Sequence, residues 1–257
     1  MLRQIIGMQS ILYLFSNLEM NAMARKKRLG AVADIAKNRL YITIAGKLSK
    51  QKLDSLYTDI RFCVADLTPG FDVINDISEC TLAALSGIPT FKKITNHLIT
   101  NRVGKVIRVI DKNKIICKQI LHMAARMQGY RATYVSTLEE AETELENAQH
   151  CEGLRFCLYQ QPVEFKTDSD QDNGYIIDIS TSGCAINSTI MQPAIDEKVS
   201  LSISFNKHDD LLNVFSNNAT VVSTEKNRFA VQFEEIDDNQ KEQLWDRLVH
   251  ESRCEIT

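Results

Sequence analysis

Asp178, Ser180 and Gly183 are the residues whose types and spacing most plainly suggest chemistry. They stand as D-x-S-x-x-G inside YIIDISTSGCAIN, residues 175–187. A carboxylate, a hydroxyl and a residue without a side chain, set on one tight turn, can meet a small polar ligand through an acceptor, a hydroxyl and unhindered backbone N–H groups. Glycine also tolerates the positive φ that many turns need. The same residues suit an ordinary hairpin whose Asp and Ser bond their own backbone, so the spacing leaves both readings open.

Several elements must position that turn. Apolar and β-branched residues before it and Cys184-Ala185-Ile186 after it predict two strands. Further strands are expected over 163–166, 199–205, 219–224 and 228–233, with polar turns between, a rhythm that indicates an antiparallel barrel or sandwich. A closing helix over 238–250 puts Leu244, Trp245, Leu248 and Val249 on one face. Trp245, the only tryptophan, reads as packing on the barrel rim.

Taken in order, Gln161-Pro162-Val163-Glu164-Phe165, DISTSG at 178–183, the strand over 219–223 and Arg228-Phe229-Ala230-Val231-Gln232-Phe233 before a helix resemble the PilZ domain over residues 153–252. The resemblance implies a six-stranded antiparallel β-barrel with a C-terminal helix and, as ligand, cyclic di-GMP. It also implies an R-x-x-x-R arm ahead of the first barrel strand. Guanine offers O6 and N7 acceptors that a guanidinium grips with two hydrogen bonds, and phosphates suit the same fork. The arm here is incomplete. In residues 153–163, Arg155 is the one arginine; four residues on stands Tyr159, and just before Gln161-Pro162 stands Gln160. Losing one bidentate charged contact costs roughly 1.5–3 kcal/mol, or one to two powers of ten in affinity. The expected ligand set is therefore Arg155, Tyr159, Gln160, Asp178, Ser180 and Gly183, with Tyr159 placed to stack on a base. Without nucleotide binding, the same domain would act through protein contacts.

Residues 38–150 read differently. Strands over 40–45, 71–77, 106–110 and 132–135 alternate with helices over 49–62, 86–100, 116–128 and 138–148, which means βαβ units and a mostly parallel sheet. Ser49 is the expected N-cap of the first helix. The segment GYRATYVSTLEEA, 129–141, resembles the last strand and helix of the STAS domain, the fold of anti-sigma-factor antagonists. That family carries a phosphorylatable serine in an Asp-Ser-Ser-Gly loop; the matching residues here are Ala84-Leu85-Ser86-Gly87. Ser86 is either a phosphorylation site at a helix N-terminus or simply an N-cap.

Residues 1–37 form an extension. Its apolar run from Ile5 to Leu18 is too short to span a bilayer, and Arg25-Lys26-Lys27-Arg28 follows it. Residues 5–28 therefore suit peripheral contact with an anionic membrane, or packing on the body or a partner, or a stretch upstream of a start at Met20 or Met23.

The 257 residues, 44% hydrophobic and 25% charged, have the composition of a globular protein with room for two domains. A net charge of −3 argues against a general nucleic-acid binder. Seven cysteines, odd in number and without C-x-x-C spacing, read as reduced thiols of a cytoplasmic protein; the scattered histidines offer no metal spacing. No nucleophile–base pair or phosphate-binding glycine loop emerges. The glutamates at 139, 140, 142, 144 and 146 read as one solvated helix face. The expectation is a bacterial, non-enzymatic signalling protein with no cofactor. A PilZ-like receptor at 151–257 would relay cyclic di-GMP binding to an unidentified protein partner through a STAS-like domain at 38–150; the alternative is an adaptor with both domains degenerate.

Overall fold

The computed structural model describes residues 29–83, 87–111, 129–147, 153–158 and 160–254. The apolar and basic segment 5–28, Ser86, Tyr159 and the helix expected over 116–128 lie outside these.

Parallel strands buried on both faces need helices above and below them, and the N-terminal half is built that way. A five-stranded sheet runs in the order β1 (Leu29–Asp34), β2 (Arg39–Ile44), β4 (Asp72–Asp76), β6 (Val106–Val109), β8 (Thr133–Val135). Strands β2, β4, β6 and β8 are parallel; β1 is an antiparallel edge hairpin with β2 that the sequence pattern did not reveal. A short parallel pair, β3 (Gly46–Leu48) with β5 (Cys80–Ala83), stands beside the sheet. On one face Leu40, Ile42 and Ile44 belong to the same core as Leu53, Leu56 and Ile60 of α1 (Lys50–Ala65) and Ile94 and Leu98 of α2 (Ile88–Thr100). On the other, Ile74, Ile107 and Val109 cluster with Ala141 and Leu145 of α3 (Leu138–Glu146). Ser49 caps α1, its Oγ accepting from the Lys52 N–H at 3.3 Å, as the sequence predicts.

The face of α3 is not uniformly solvated. Glu142 is turned into the sheet edge, where it accepts from the Tyr41 hydroxyl at 2.6 Å, from Lys37 at 3.1 Å and from Arg39. The helical period that puts Ala141 and Leu145 inward brings Glu142 to their flank, so this one glutamate is clamped.

The C-terminal half is a six-stranded antiparallel barrel closed by the ladder β10 (Pro162–Lys166), β11 (Gln171–Ile179), β12 (Gly183–Asn187), β15 (Arg228–Phe233), β14 (Val214–Glu225), β13 (Lys198–Ser204) and back to β10. Period-2 alternation fills it: Val163, Phe165, Ile186, Leu201, Ile203, Val221, Phe229 and Val231 are all buried. Helix α4 (Asp238–Cys254) covers the barrel with Leu244, Trp245 and Leu248 buried.

Two short strands join the halves. β9 (Arg155–Phe156) pairs with β11 at Ile179, and β7 (Tyr130–Arg131) pairs with β9, Tyr130 opposite Phe156 and Arg131 opposite Arg155. The strand expected over 132–135 is thus one part of a longer run shared between two sheets. After the single residue Ala132 the chain re-enters the N-terminal sheet as β8, with Thr133 opposite Ile107. A sheet that crosses the boundary expected near residue 150 therefore ties the C-terminal barrel to residues 130–131.

Gly129, with φ +62°, permits this crossing. A Cβ there would stand 2.7 Å from Ser252 Cβ of α4, and its carbonyl accepts from Cys157 N–H at 2.9 Å.

Candidate functional site

The site gathers at the end of β11 where β9 and β7 add to the sheet. Its register changes between Ile176 and Asp178, where a bulge interrupts the pairing with β12. A bulge re-aims the side chains after it. Here alternation fails, and Asp178, Ile179 and Ser180 are all buried in succession.

Arg155 is positioned by its neighbours. Leu154, Phe156 and Leu158 are buried, while Arg155 between them is 25% exposed in its side chain. Phe156 packs edge-on against Trp245, ring centroids 5.3 Å apart, which confirms the rim role of that tryptophan and anchors the arm. The result is an ion pair: Arg155 Nε donates to Asp178 Oδ1 at 2.6 Å.

A second guanidinium completes the group. Arg131 Nη1 donates to Asp178 Oδ2 at 2.6 Å, so each carboxylate oxygen holds one arginine. Asp178 is 1% exposed in its side chain and Arg131 65%. The carboxylate is buried with its charge matched, which a buried acid requires. The hydrogen bond to Asp178 holds the Arg131 guanidinium above its ordinary range, with burial opposing. Behind the motif, burial pushes the Cys184 thiol up to about 12, so it is a protonated core group.

The remaining predicted residues divide. Ser180 is buried and its hydroxyl serves the turn: it accepts from Ser182 N–H at 3.2 Å and stands 3.1 Å from Ser182 Oγ. Ser180 N–H donates to the Gly183 carbonyl at 2.9 Å. Gly183 does not use the positive φ that glycine tolerates. It is needed for another reason: a Cβ there would lie 2.2 Å from the Val231 carbonyl oxygen of β15. Gln160 sits at φ +51° in the exposed turn before β10. Arg131 was missed because its strand reads as part of the N-terminal domain, and no local signal assigns it to the other sheet.

Beside the motif loop lies a cleft of about 650 Å³ between the halves, lined by Gly153 and Thr181 of the barrel side, Arg102 and Lys105 of the N-terminal half, and Lys241 and Trp245 of α4. Arg102 reaches across to Glu242 at 2.8 Å. Among the described residues there is no group of three or more His, Cys, Asp or Glu able to hold a metal, and no helix long and apolar enough to cross a membrane.

Residues 154–250 match the model of the PilZ domain family. The match covers the whole barrel and most of α4, and includes Arg155 and the D-x-S-x-x-G turn. Solved structures similar to the chain include the PilZ domain of CeSA from a cellulose synthesizing bacterium, at 20% identity, covering 37% of this chain and 94% of that one, TM-score 0.30. The PilZ domain of YcgR from Escherichia coli with c-di-GMP is 16% identical, over 38% of this chain and 88% of that one, TM-score 0.34. The inhibitor of motility MotI/DgrA from Bacillus subtilis is 13% identical, over 41% of this chain and 56% of that one, TM-score 0.33. Among curated proteins nothing matches.

Proposed function

We propose that this chain is a non-enzymatic receptor for cyclic di-GMP whose C-terminal barrel binds the nucleotide at the D-x-S-x-x-G turn. The observation that carries the reading is the placement of Arg155 against the buried Asp178, inside the region that matches the PilZ family. A guanidinium beside a carboxylate presents donors next to acceptors. That pattern suits guanine, which offers O6 and N7 as acceptors and its N2 amino group as donor. Ser180 and Gly183 act by holding the turn, and Gln160 and Tyr159 stand on the segment that would close over the ligand.

The N-terminal α/β half is the transmitting part, through a protein partner that meets its surface. Its STAS-like character and a phosphorylated Ser86 belong to the same reading, as does contact of residues 5–28 with a membrane surface. Cys63, Cys80, Cys157 and Cys184 stand as thiols, which suits the cytoplasm.

A second reading is favoured by two observations: the arm has no second arginine, Tyr159 and Gln160 standing where one is expected, and both oxygens of Asp178 are already satisfied by protein. On this reading the barrel is an adaptor that binds a protein and no nucleotide.

Titration calorimetry of the full chain with cyclic di-GMP separates the two. A saturable heat that Arg155→Ala abolishes or weakens by one to two powers of ten supports the receptor. No heat and no shift of the thermal midpoint at high ligand concentration supports the adaptor.

A further inference from the structure

The arm before β10 brings one guanidinium to the turn, and the fold brings another from elsewhere in the chain. Arg131 and Arg155 are directly opposite each other on paired strands, and each holds one oxygen of the same carboxylate at 2.6 Å. They differ in exposure. Arg155 is 25% exposed and Arg131 65%, so Arg131 lies on the open edge of the site. A guanidinium has five N–H donors in a fixed fork. The hydrogen bond to Asp178 engages Nη1, and the Arg131 side chain as a whole is 65% exposed.

We propose that Arg131, supplied by the short strand that leads into the N-terminal sheet, is the second guanidinium of the nucleotide site, in place of the arginine absent from the arm. This rests on the receptor reading above. A guanine whose amino edge donates to Asp178 takes over part of that carboxylate and offers O6 and N7 to the arginine it displaces. The exchange is easy on the Arg131 side, because an ion pair with a mostly exposed partner is worth little in water. It also couples the halves. Arg131 is followed by Ala132 and then by Thr133, which pairs with Ile107 in the N-terminal sheet. The ligand is then gripped by a residue of each half, and occupancy is felt in the N-terminal sheet without a separate relay.

The test is titration calorimetry with cyclic di-GMP on the full chain, comparing the unchanged protein with Arg131→Ala, Arg131→Lys and Arg155→Ala. Arg131→Ala is expected to weaken binding roughly 10- to 100-fold, as for loss of a bidentate charged contact. Arg131→Lys separates binding from structure. A lysine keeps a charge beside Asp178 and so preserves the thermal midpoint of the ligand-free chain, but it lacks the fork that grips two acceptors. Its affinity should fall nearly as far as that of the alanine variant. If either variant binds within about twofold of the unchanged chain, the assignment of Arg131 is overturned and the receptor reading stands. If the unchanged chain itself binds no cyclic di-GMP, both fall.

Discussion

Glu142 and Asp178 are both clamped by cations, and they are clamped differently. Glu142 is held at the edge of the N-terminal sheet by Tyr41, Lys37 and Arg39, all from strands or turns of the same sheet. Its partners are largely shielded; the Lys37 and Arg39 side chains are 20% and 8% exposed. Asp178 is held by two arginines from strands on opposite sides of the junction, one of them mostly in solvent. The first arrangement ties α3 to its own sheet. The second leaves donors facing outward beside a buried acceptor. Both acids are paired with cations; what sets Asp178 apart is that its partners come from two regions and that one of them is accessible.

The largest effect should come from removing the more deeply buried acid. Asp178→Ala leaves two guanidinium groups facing each other without a counter-charge, and denaturant unfolding should show a loss of about 2–4 kcal/mol, the exposure of Arg131 keeping it below the full cost of breaking a buried pair. A loss below about 0.5 kcal/mol would erase the distinction between this carboxylate and a surface one.

Glu142→Gln should cost less, about 1–2 kcal/mol, since the amide retains a hydrogen-bond acceptor for Tyr41. Its pH dependence is more telling. Burial tends to raise the Glu142 pKa, but the Tyr41 hydroxyl, Arg39 and Lys37 outweigh it and hold the group below the usual range. A depressed acid contributes stability that is complete above its unfolded pKa, about 4.3, and is lost as pH falls through the folded value. Between neutral pH and that acid range, the stability gap between the two proteins should stay level and then close on further acidification. A gap that widened on acidification would reverse the assigned sign.

Thr137→Ala removes the cap that accepts from Glu140 N–H at 3.0 Å at the start of α3, the helix that delivers Glu142. It should cost about 1 kcal/mol. The smallest effect belongs to Arg131→Ala in the ligand-free chain, about 0.2–1 kcal/mol, as for an exposed ion pair. Thermal unfolding that showed a loss of several kcal/mol would make Arg131 a structural clamp like Arg39 and remove the contrast.

Much of the site's frame was readable beforehand. The hairpin around residues 178–183, the closing helix and the alternating barrel strands all follow local periodicity, which burial on one face enforces. The alternation of Leu154, Phe156 and Leu158 was also present and would have shown that Arg155 rides on a strand. Other features were out of reach. Glu142 shares the composition of its glutamate neighbours, and only the helix's seating on the sheet sets it apart. Gly183 looked like a turn glycine, whereas it is held to glycine by the Val231 carbonyl across the barrel.

The order of residues by itself determined that a parallel α/β half precedes an antiparallel barrel, because both are written in side-chain periods of 3.6 and 2. It determined that the D-x-S-x-x-G turn carries a carboxylate and that the adjoining arm brings one arginine. The tertiary structure decided that this carboxylate meets two. Arg131 lies 47 residues from Asp178, and no local pattern relates them. They meet because a two-residue strand pairs across the junction between sheets, a contact set by packing and not by propensity.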